Sequence, residues 1–379
     1  MLVKLINSYL DYNSTSPLSS SVQEMLKGEF SFWANPSSTH SLGKKARQQI
    51  EETRDFLFDL FFANSSEARD QYHLIFHSGA TEGLNALYQS LGTDTIFFYS
   101  PLDHAVTVEN AKRFKKLCPI KNDDQASLDD KSFISQLSQV AGPKAVAWPW
   151  MNNELGVIWD WEKHLDENYF FHVDATQTPF KMKDCFKLKS YPTSLTYSGH
   201  KFGALKGIGW SFVKKTYPYR PLLLGGGQQQ GLRAGTENSL GVMSLRLALE
   251  DGLKNWQPQL QQNLIEQFRH ELSHQLQGQG EVLAIKNFKL NLNTVAYYMY
   301  KTDAQTQLIH YDLQGLMVGS GSACSSGVIQ DNRLMKELGF SNYARNAIRL
   351  SFSPFLTEED FNSLKQRIFS LLPRFFSKS

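Results

Sequence analysis

Short apolar runs that end in small or polar residues, with helical patterns between most of them, constrain this chain more than any other feature. Tyr72-His-Leu-Ile-Phe76 leads into Ser78-Gly-Ala-Thr-Glu82, and Thr95-Ile-Phe-Phe-Tyr99 into Asp103 and His104. Ala145-Val-Ala-Trp148 leads into Met151-Asn-Asn-Glu154, and Tyr169-Phe-Phe-His-Val173 into Asp174 and Gln177. Runs this short, aromatic and β-branched, read as buried strands. Their alternation with helices predicts an α/β domain whose ligand lies beyond the carboxyl ends of its strands.

The polar residues at those ends suit a cofactor enzyme, although each alone has a plainer use. Ser78 to Asn85 opens a helix whose first amides are unpaired and whose dipole favours an anion. A phosphate fits there, with Thr81 adding a hydroxyl donor; the same residues would also serve as an ordinary Ser/Thr cap. Asp174 can pair with a protonated pyridine nitrogen and keep the ring an electron sink, or it can serve as the N-cap of the next segment. His104 can stack on a flat cofactor and move protons, or sit satisfied in a core. Tyr197 to Gly209 places Ser198, His200 and Lys201 in a connection between apolar runs. A lysine whose surroundings lower its pKa forms a Schiff base with an aldehyde; a solvated lysine is the alternative. Val318 to Gly327 sets one thiol, Cys324, among Gly, Ser and Ala. Such residues restrict the backbone little, so the sulfur is expected on a mobile loop able to visit two places. An incidental cysteine in a surface linker is the rival reading.

The motifs form a set. It comprises Tyr9-Leu-Asp11 with Pro17, Asn35-Pro-Ser-Ser-Thr-His40 with Gly43, Ser78-Gly-Ala-Thr-Glu82, Asp103-His104, Asn152-Asn-Glu154 and Asp174-Ala-Thr-Gln177. Ser198-Gly-His-Lys201, Gly225-Gly-Gly-Gln228 with Arg233-Ala-Gly-Thr236, Gly321-Ser-Ala-Cys-Ser-Ser326 and Arg349-Leu-Ser351 complete it. Nearly end to end, the chain resembles the pyridoxal-phosphate-dependent cysteine desulfurases of the NifS/IscS kind, within the class V aminotransferase family. The resemblance implies the fold type I of pyridoxal-phosphate-dependent transferases: a large α/β domain with a mainly parallel seven-stranded sheet between helices, and a smaller α+β domain. The motifs assign residues 15–250 to the first, and residues 1–14 and 251–379, with the Cys324 loop, to the second.

The same resemblance implies roles. Lys201 would carry pyridoxal 5'-phosphate, Asp174 would meet the pyridine nitrogen, Gln177 would donate to the ring hydroxyl and His104 would stack on the ring. Ala80, Thr81, Ser198 and His200 would hold the phosphate, with Thr236 reaching it from the second subunit of a homodimer. Asn153, shared between cofactor and substrate, and Arg349 would orient the substrate, Arg349 by a bidentate grip on its carboxylate, with Asn35 beside them. L-cysteine would yield L-alanine, Lys201 moving protons and the Cys324 thiolate, the nucleophilic form, leaving with the sulfur as a persulfide for an iron-sulfur scaffold or another acceptor protein. A selenocysteine lyase or class V aminotransferase would share Lys201, Asp174 and Arg349, and the loop thiol separates the desulfurase from them. A non-catalytic pyridoxal-phosphate-binding scaffold is the remaining alternative. Ser14 and Ser16 stand where Ala and Thr are usual, Ala204-Leu205 where Gly-Pro is common, Ser353 for a Gly and Asp331-Asn332 for Pro-Ser. These departures bear on loop geometry, and hence on rate and acceptor choice.

Thirty-nine basic against 37 acidic side chains leave a formal charge of +2, with no strong pull on nucleic acid or an anionic membrane. No run approaches a transmembrane span, and Met1 to Ile6 is too short for a secretory signal. Three cysteines without metal-ligand spacing suit a reducing cytoplasm, with Cys118 and Cys185 read as structural. Ser239 to Leu253 and Trp256 to Gly280 pattern as helices and Leu290 to Tyr298 as a strand. A final helix starts at Thr357, with Glu358, Glu359 and Asp360 in its first turn and Phe361, Leu364, Ile368, Leu371 and Leu372 on one stripe.

Overall fold

In the computed structural model, which describes residues 8–28, 33–120, 130–283, 289–320, 333–337 and 339–376, the apolar runs become strands whose alternate side chains enter two cores. The strands of the first part are β1 (Tyr9–Leu10), β2 (Tyr72–His77), β3 (Ile96–Tyr99), β4 (Lys116–Pro119), β5 (Lys144–Pro149), β6 (Phe170–Asp174), β7 (Ser194–Ser198) and β8 (Gly209–Lys214). β2 to β8 form a seven-stranded sheet in the order β2-β8-β7-β6-β5-β3-β4. Only β8 runs antiparallel to its neighbours, so the mainly parallel seven-stranded sheet that the resemblance implies is what the chain builds. β4 is a mostly exposed edge strand with too little apolar pattern to show in the sequence; pairing with β3 recruits it.

Because strand side chains alternate between faces, odd and even positions part company. Leu74, Phe76, Phe98, Val146, Trp148, Trp210 and Phe212 join one core; Ile75, Phe97, Ala145, Ala147 and Val213 join the other. The first core is covered by the helix Ser41–Phe61, whose Phe58 ring lies 5.2 Å from Phe212 and Phe61 5.4 Å from Trp210. The second is covered by the helix Ala80–Ser90 through Leu84, Leu87 and Tyr88. Each large apolar side chain buried this way contributes about 1.5–3 kcal/mol. At the start of β8 a side chain has no room: a Cβ on Gly209 would sit 2.6 Å from the Tyr197 carbonyl.

The C-terminal strands are β9 (Gly280–Val282), β10 (Thr294–Met299), β11 (Met317–Val318) and β12 (Ala347–Ser351). β12, β10 and β9 form an antiparallel sheet, while β11 pairs in parallel with β1. The helices Pro258–Gln275, Ala304–Leu313 and Glu358–Leu371 enclose a core around Phe268, Tyr297, Ile348, Leu350 and Phe361, joined by Leu10 from the amino end. The last helix forms as expected: Thr357 Oγ accepts from the Asp360 amide at 3.2 Å, and Phe361, Leu364, Ile368 and Leu371 are buried. The strand read from Leu290 begins only at Thr294. Leu290 instead forms an isolated antiparallel bridge with Val157. Between it and β10, Asn291 Nδ2 donates to Asn293 Oδ1 and Thr294 Oγ1, and Asn293 Nδ2 to Asn13 Oδ1 and the Phe352 carbonyl, so side-chain bonds help to hold this stretch off the β10 ladder. Among the described residues no helix is long and apolar enough to cross a membrane.

Candidate active site

The carboxyl ends of β2, β3, β5, β6 and β7 lead to residues that line one cavity of about 650 Å³. After β2, Gly79 caps the helix Ala80–Ser90 without a side-chain acceptor, so the first amides of that helix stay available to an anion. After β3, His104 caps the helix Ala105–Ala111, its Nδ1 accepting from the Val106 amide at 3.2 Å; in the neutral ring the proton then sits on Nε2. After β5, Asn152 Oδ1 accepts from the Glu154 and Leu155 amides, both at 2.8 Å, and shapes the turn that carries Asn153. β6 ends at Asp174, whose Oδ1 accepts from the Thr176 amide at 2.9 Å. Thr176 Oγ1, also at the cavity, is buried with no partner among the described residues. β7 ends at Ser198, and one helical turn, Gly199–Lys201, brings up the lysine.

The amino-terminal segment is laced across this lysine. Lys201 Nζ donates to the carbonyls of Asn13 at 2.7 Å and Ser14 at 2.9 Å. Ser16 donates from its amide to the His200 carbonyl and from its hydroxyl to the Lys201 carbonyl, both at 2.8 Å. Burial first, then the Arg349 charge, brings the Lys201 amine down to about 8, against the opposing pull of Asp11 and Asp174. Burial, with Lys201 and Lys181 nearby, holds His200 down to about 4, so its ring is neutral near neutral pH. An open helix end, a strand-end carboxylate, an unclaimed buried hydroxyl and an amine of lowered pKa form a donor set that fits pyridoxal phosphate.

Nine of the residues given a site role from the sequence line the cavity: Ala80, Thr81, His104, Asn153, Asp174, Gln177, Ser198, His200 and Lys201. Arg349, on β12, lies buried beside Asn153. Its Nη2 pairs with Asp11 Oδ1 and donates to Ser14 Oγ at 2.9 Å, Nη1 donates to the Asn153 carbonyl at 3.3 Å, and Nε has no partner among the described residues. Asn35 is exposed, its Oδ1 accepting from the Ser37 amide at 2.9 Å. Thr236 is exposed just beyond Arg233, which clamps Glu82 through Nε–Oε1 at 2.9 Å and Nη2–Oε2 at 3.2 Å. Cys324 lies outside the described residues. Before it, Gly319 exchanges both backbone hydrogen bonds with Arg349, at 3.0 and 2.7 Å.

Asn13, Thr176, Lys181 and Lys206 were given no role from the sequence. Thr176 and Lys206 line the cavity. Asn13 is buried and donates from Nδ2 to the Asn153 carbonyl at 2.9 Å and to Thr294 Oγ1 at 2.8 Å, joining the amino end to both parts of the chain. Its position two residues after Asp11 was the one available signal.

Fold and site together define an enzyme built to hold pyridoxal phosphate. The class-V aminotransferase family matches residues 8–364. A cysteine desulfurase of Bradyrhizobium diazoefficiens is 30% identical over 91% of this chain and 89% of its own length. Cysteine desulfurase 2 of Trichormus variabilis is 29% identical, over 94% of this chain and 91% of its own. A NifS-like protein from Rickettsia africae superposes with a TM-score of 0.80 at 25% identity, covering 96% of this chain and 99% of that one. The chain belongs to the class-V aminotransferase family, whose enzymes depend on pyridoxal phosphate.

Proposed function

We propose that the protein is a cysteine desulfurase, which converts L-cysteine to L-alanine and receives the sulfur on Cys324 as a persulfide. The observation that carries the reading is Lys201, a largely buried amine of lowered pKa, in a cavity shared with Asp174 and the open helix end. The relatives named as desulfurases, similar over nearly the whole chain, direct it to cysteine. Bound pyridoxal phosphate supplies an electron sink for carbanion chemistry. Lys201 holds it and moves protons at the substrate carbon. Asp174 meets the pyridine nitrogen and Gln177 the ring hydroxyl, while His104 covers the ring. Ala80, Thr81, Ser198 and His200 receive the phosphate.

Arg349, with Asn153 and Asn35, receives the substrate; to take its carboxylate, Arg349 exchanges Asp11 for it. The Cys324 thiolate then bonds to the substrate sulfur as the carbon–sulfur bond breaks, and the released electron pair stays on the carbon skeleton that ends as alanine. Neither other thiol competes: Cys185 is buried and pushed up to about 12, Cys118 is also raised by burial, and neither lines the cavity. The working form is a homodimer in which Thr236 reaches the other subunit's phosphate. The destination of the sulfur is an acceptor protein such as an iron-sulfur scaffold, in the cytoplasm. Residues 15–250 act as the cofactor domain, and residues 1–14 with 251–379 as the domain that carries the Cys324 loop.

The test is to record the visible band of lysine-bound cofactor and to measure alanine and sulfide released from L-cysteine with a reductant present. The expected result is both signals in the wild type, with Cys324→Ser keeping the colour and losing turnover. A colourless protein, or one that yields no alanine, overturns the reading. A Cys324→Ser variant that retains full turnover on cysteine removes the persulfide step.

A further inference from the structure

A second buried lysine lies behind the cavity. Lys181 is fully buried, and its Nζ donates to Gln177 Oε1 at 2.8 Å and to the Tyr12 carbonyl at 3.3 Å. Gln177 Nε2 donates to the Asn13 carbonyl at 3.0 Å, the same oxygen that Lys201 holds at 2.7 Å. The carbonyls of Tyr12, Asn13 and Ser14 are thus gripped in succession by Lys181, Gln177 and Lys201.

We propose that Lys181 is a positioning residue that fixes the side-chain amide of Gln177, so that an N–H of that amide, and not its carbonyl, is offered to the ring oxygen of the cofactor. The proposal rests on the reading of the cavity as a pyridoxal phosphate site. Its logic is donor counting. A lysine amine can donate to an amide oxygen in either protonation state, and the Asn13 carbonyl can only accept, so the two neighbours together favour Oε1 towards Lys181 and Nε2 towards Asn13. The amide nitrogen has a second hydrogen, and Gln177 lines the cavity. The arrangement is costly, because among the described residues the buried amine has hydrogen bonds only to neutral oxygens. Burial, then the charges of Lys201 and Arg349, push its pKa well below the ordinary value, with Asp11 opposing; Asp174 and His200 also lie close to Lys201, and Glu82, Asp103, His104 and Lys206 line the same cavity. A methionine of similar length would fill the space without that cost. What the lysine adds is the donor.

The test is a pH titration of the visible band of the cofactor-loaded protein in the wild type, Lys181→Met, Gln177→Leu and the double variant. A donor lost from the ring oxygen makes the protonated chromophore easier to hold. Each single change should therefore raise the midpoint by about one pH unit, the scale of one neutral hydrogen bond. The double variant should shift no further than Gln177→Leu alone, because one residue acts through the other. Lys181→Gln, which keeps a donor in the space, should fall between wild type and Lys181→Met, and it takes the latter's place in the cycle should the methionine variant not fold. A midpoint that ignores the change at position 181, or shifts that add in the double variant, overturns the proposal. A wild-type protein without a visible band removes the cofactor reading and the proposal with it, a failure distinct from a normal band that ignores Lys181.

Discussion

Held by the carbonyls of Asn13 and Ser14, the Lys201 amine titrates near 8 where an ordinary lysine titrates at 10.5, burial being the larger cause and Arg349 the next. Its reactive form is the neutral amine, whose fraction grows as pH rises through that midpoint. Capture of pyridoxal phosphate by the cofactor-free protein should therefore accelerate up to about pH 8 and level off above it; a rate still climbing with hydroxide well beyond that midpoint would show an unperturbed lysine. Lys201→Ala should abolish the lysine-bound band and lower turnover at least about 100-fold, the lower end of what a positioned acid–base group contributes. Lys201 and Asp174 were legible because each closes a run of apolar residues in a recognisable motif. Lys181 was not, because a lysine's depth is not written in its neighbours. Arg349 was legible as a cation, but its resting pair with Asp11 and Ser14 was not.

Elements with their own start and stop signals could be read directly. The helix Glu358–Leu371 has a Thr cap, acids in its first turn and one apolar stripe. Thr357→Ala should cost about 1 kcal/mol, seen as a lower urea midpoint with an unchanged slope. Elements defined by partners were harder. β4 exists because β3 offers an edge, and β10 starts late because Asn291 and Asn293 bond sideways. The short stretch after β11 belongs to this second kind. A Cβ on Gly319 would lie 2.7 Å from Asp11 Oδ1 and 2.8 Å from Arg349 Nη2. Gly319→Ala should therefore push the guanidinium out of place and raise KM for L-cysteine by about tenfold, the scale of one charged hydrogen bond, with a smaller change in kcat. An unchanged KM would mean that Arg349 does not receive the substrate.

At the scale of the molecule, the C-terminal core around Phe268 is separate from the two cores that flank the large sheet. Phe268→Ala should cost about 3–5 kcal/mol. All seven tryptophans lie at or before Trp256, and Trp256 itself packs on Phe180 and Phe186 of the first part. In that variant, loss of helical circular dichroism ahead of the tryptophan signal is the outcome expected of the two-domain division; coincident transitions would count against it. The kinds of element, their order and the polar residues at the strand ends were all legible in the chain, because periodicity, capping and turn chemistry act over a few neighbouring residues. Packing alone brought Asp11 to Arg349 across 338 positions, bonded Asn13 to Asn153, Thr294 and Lys201 together, and set how deep the two lysines lie. Burial and charge, which govern their chemistry, come from groups that the fold assembles from distant parts of the chain, and no local pattern specifies those.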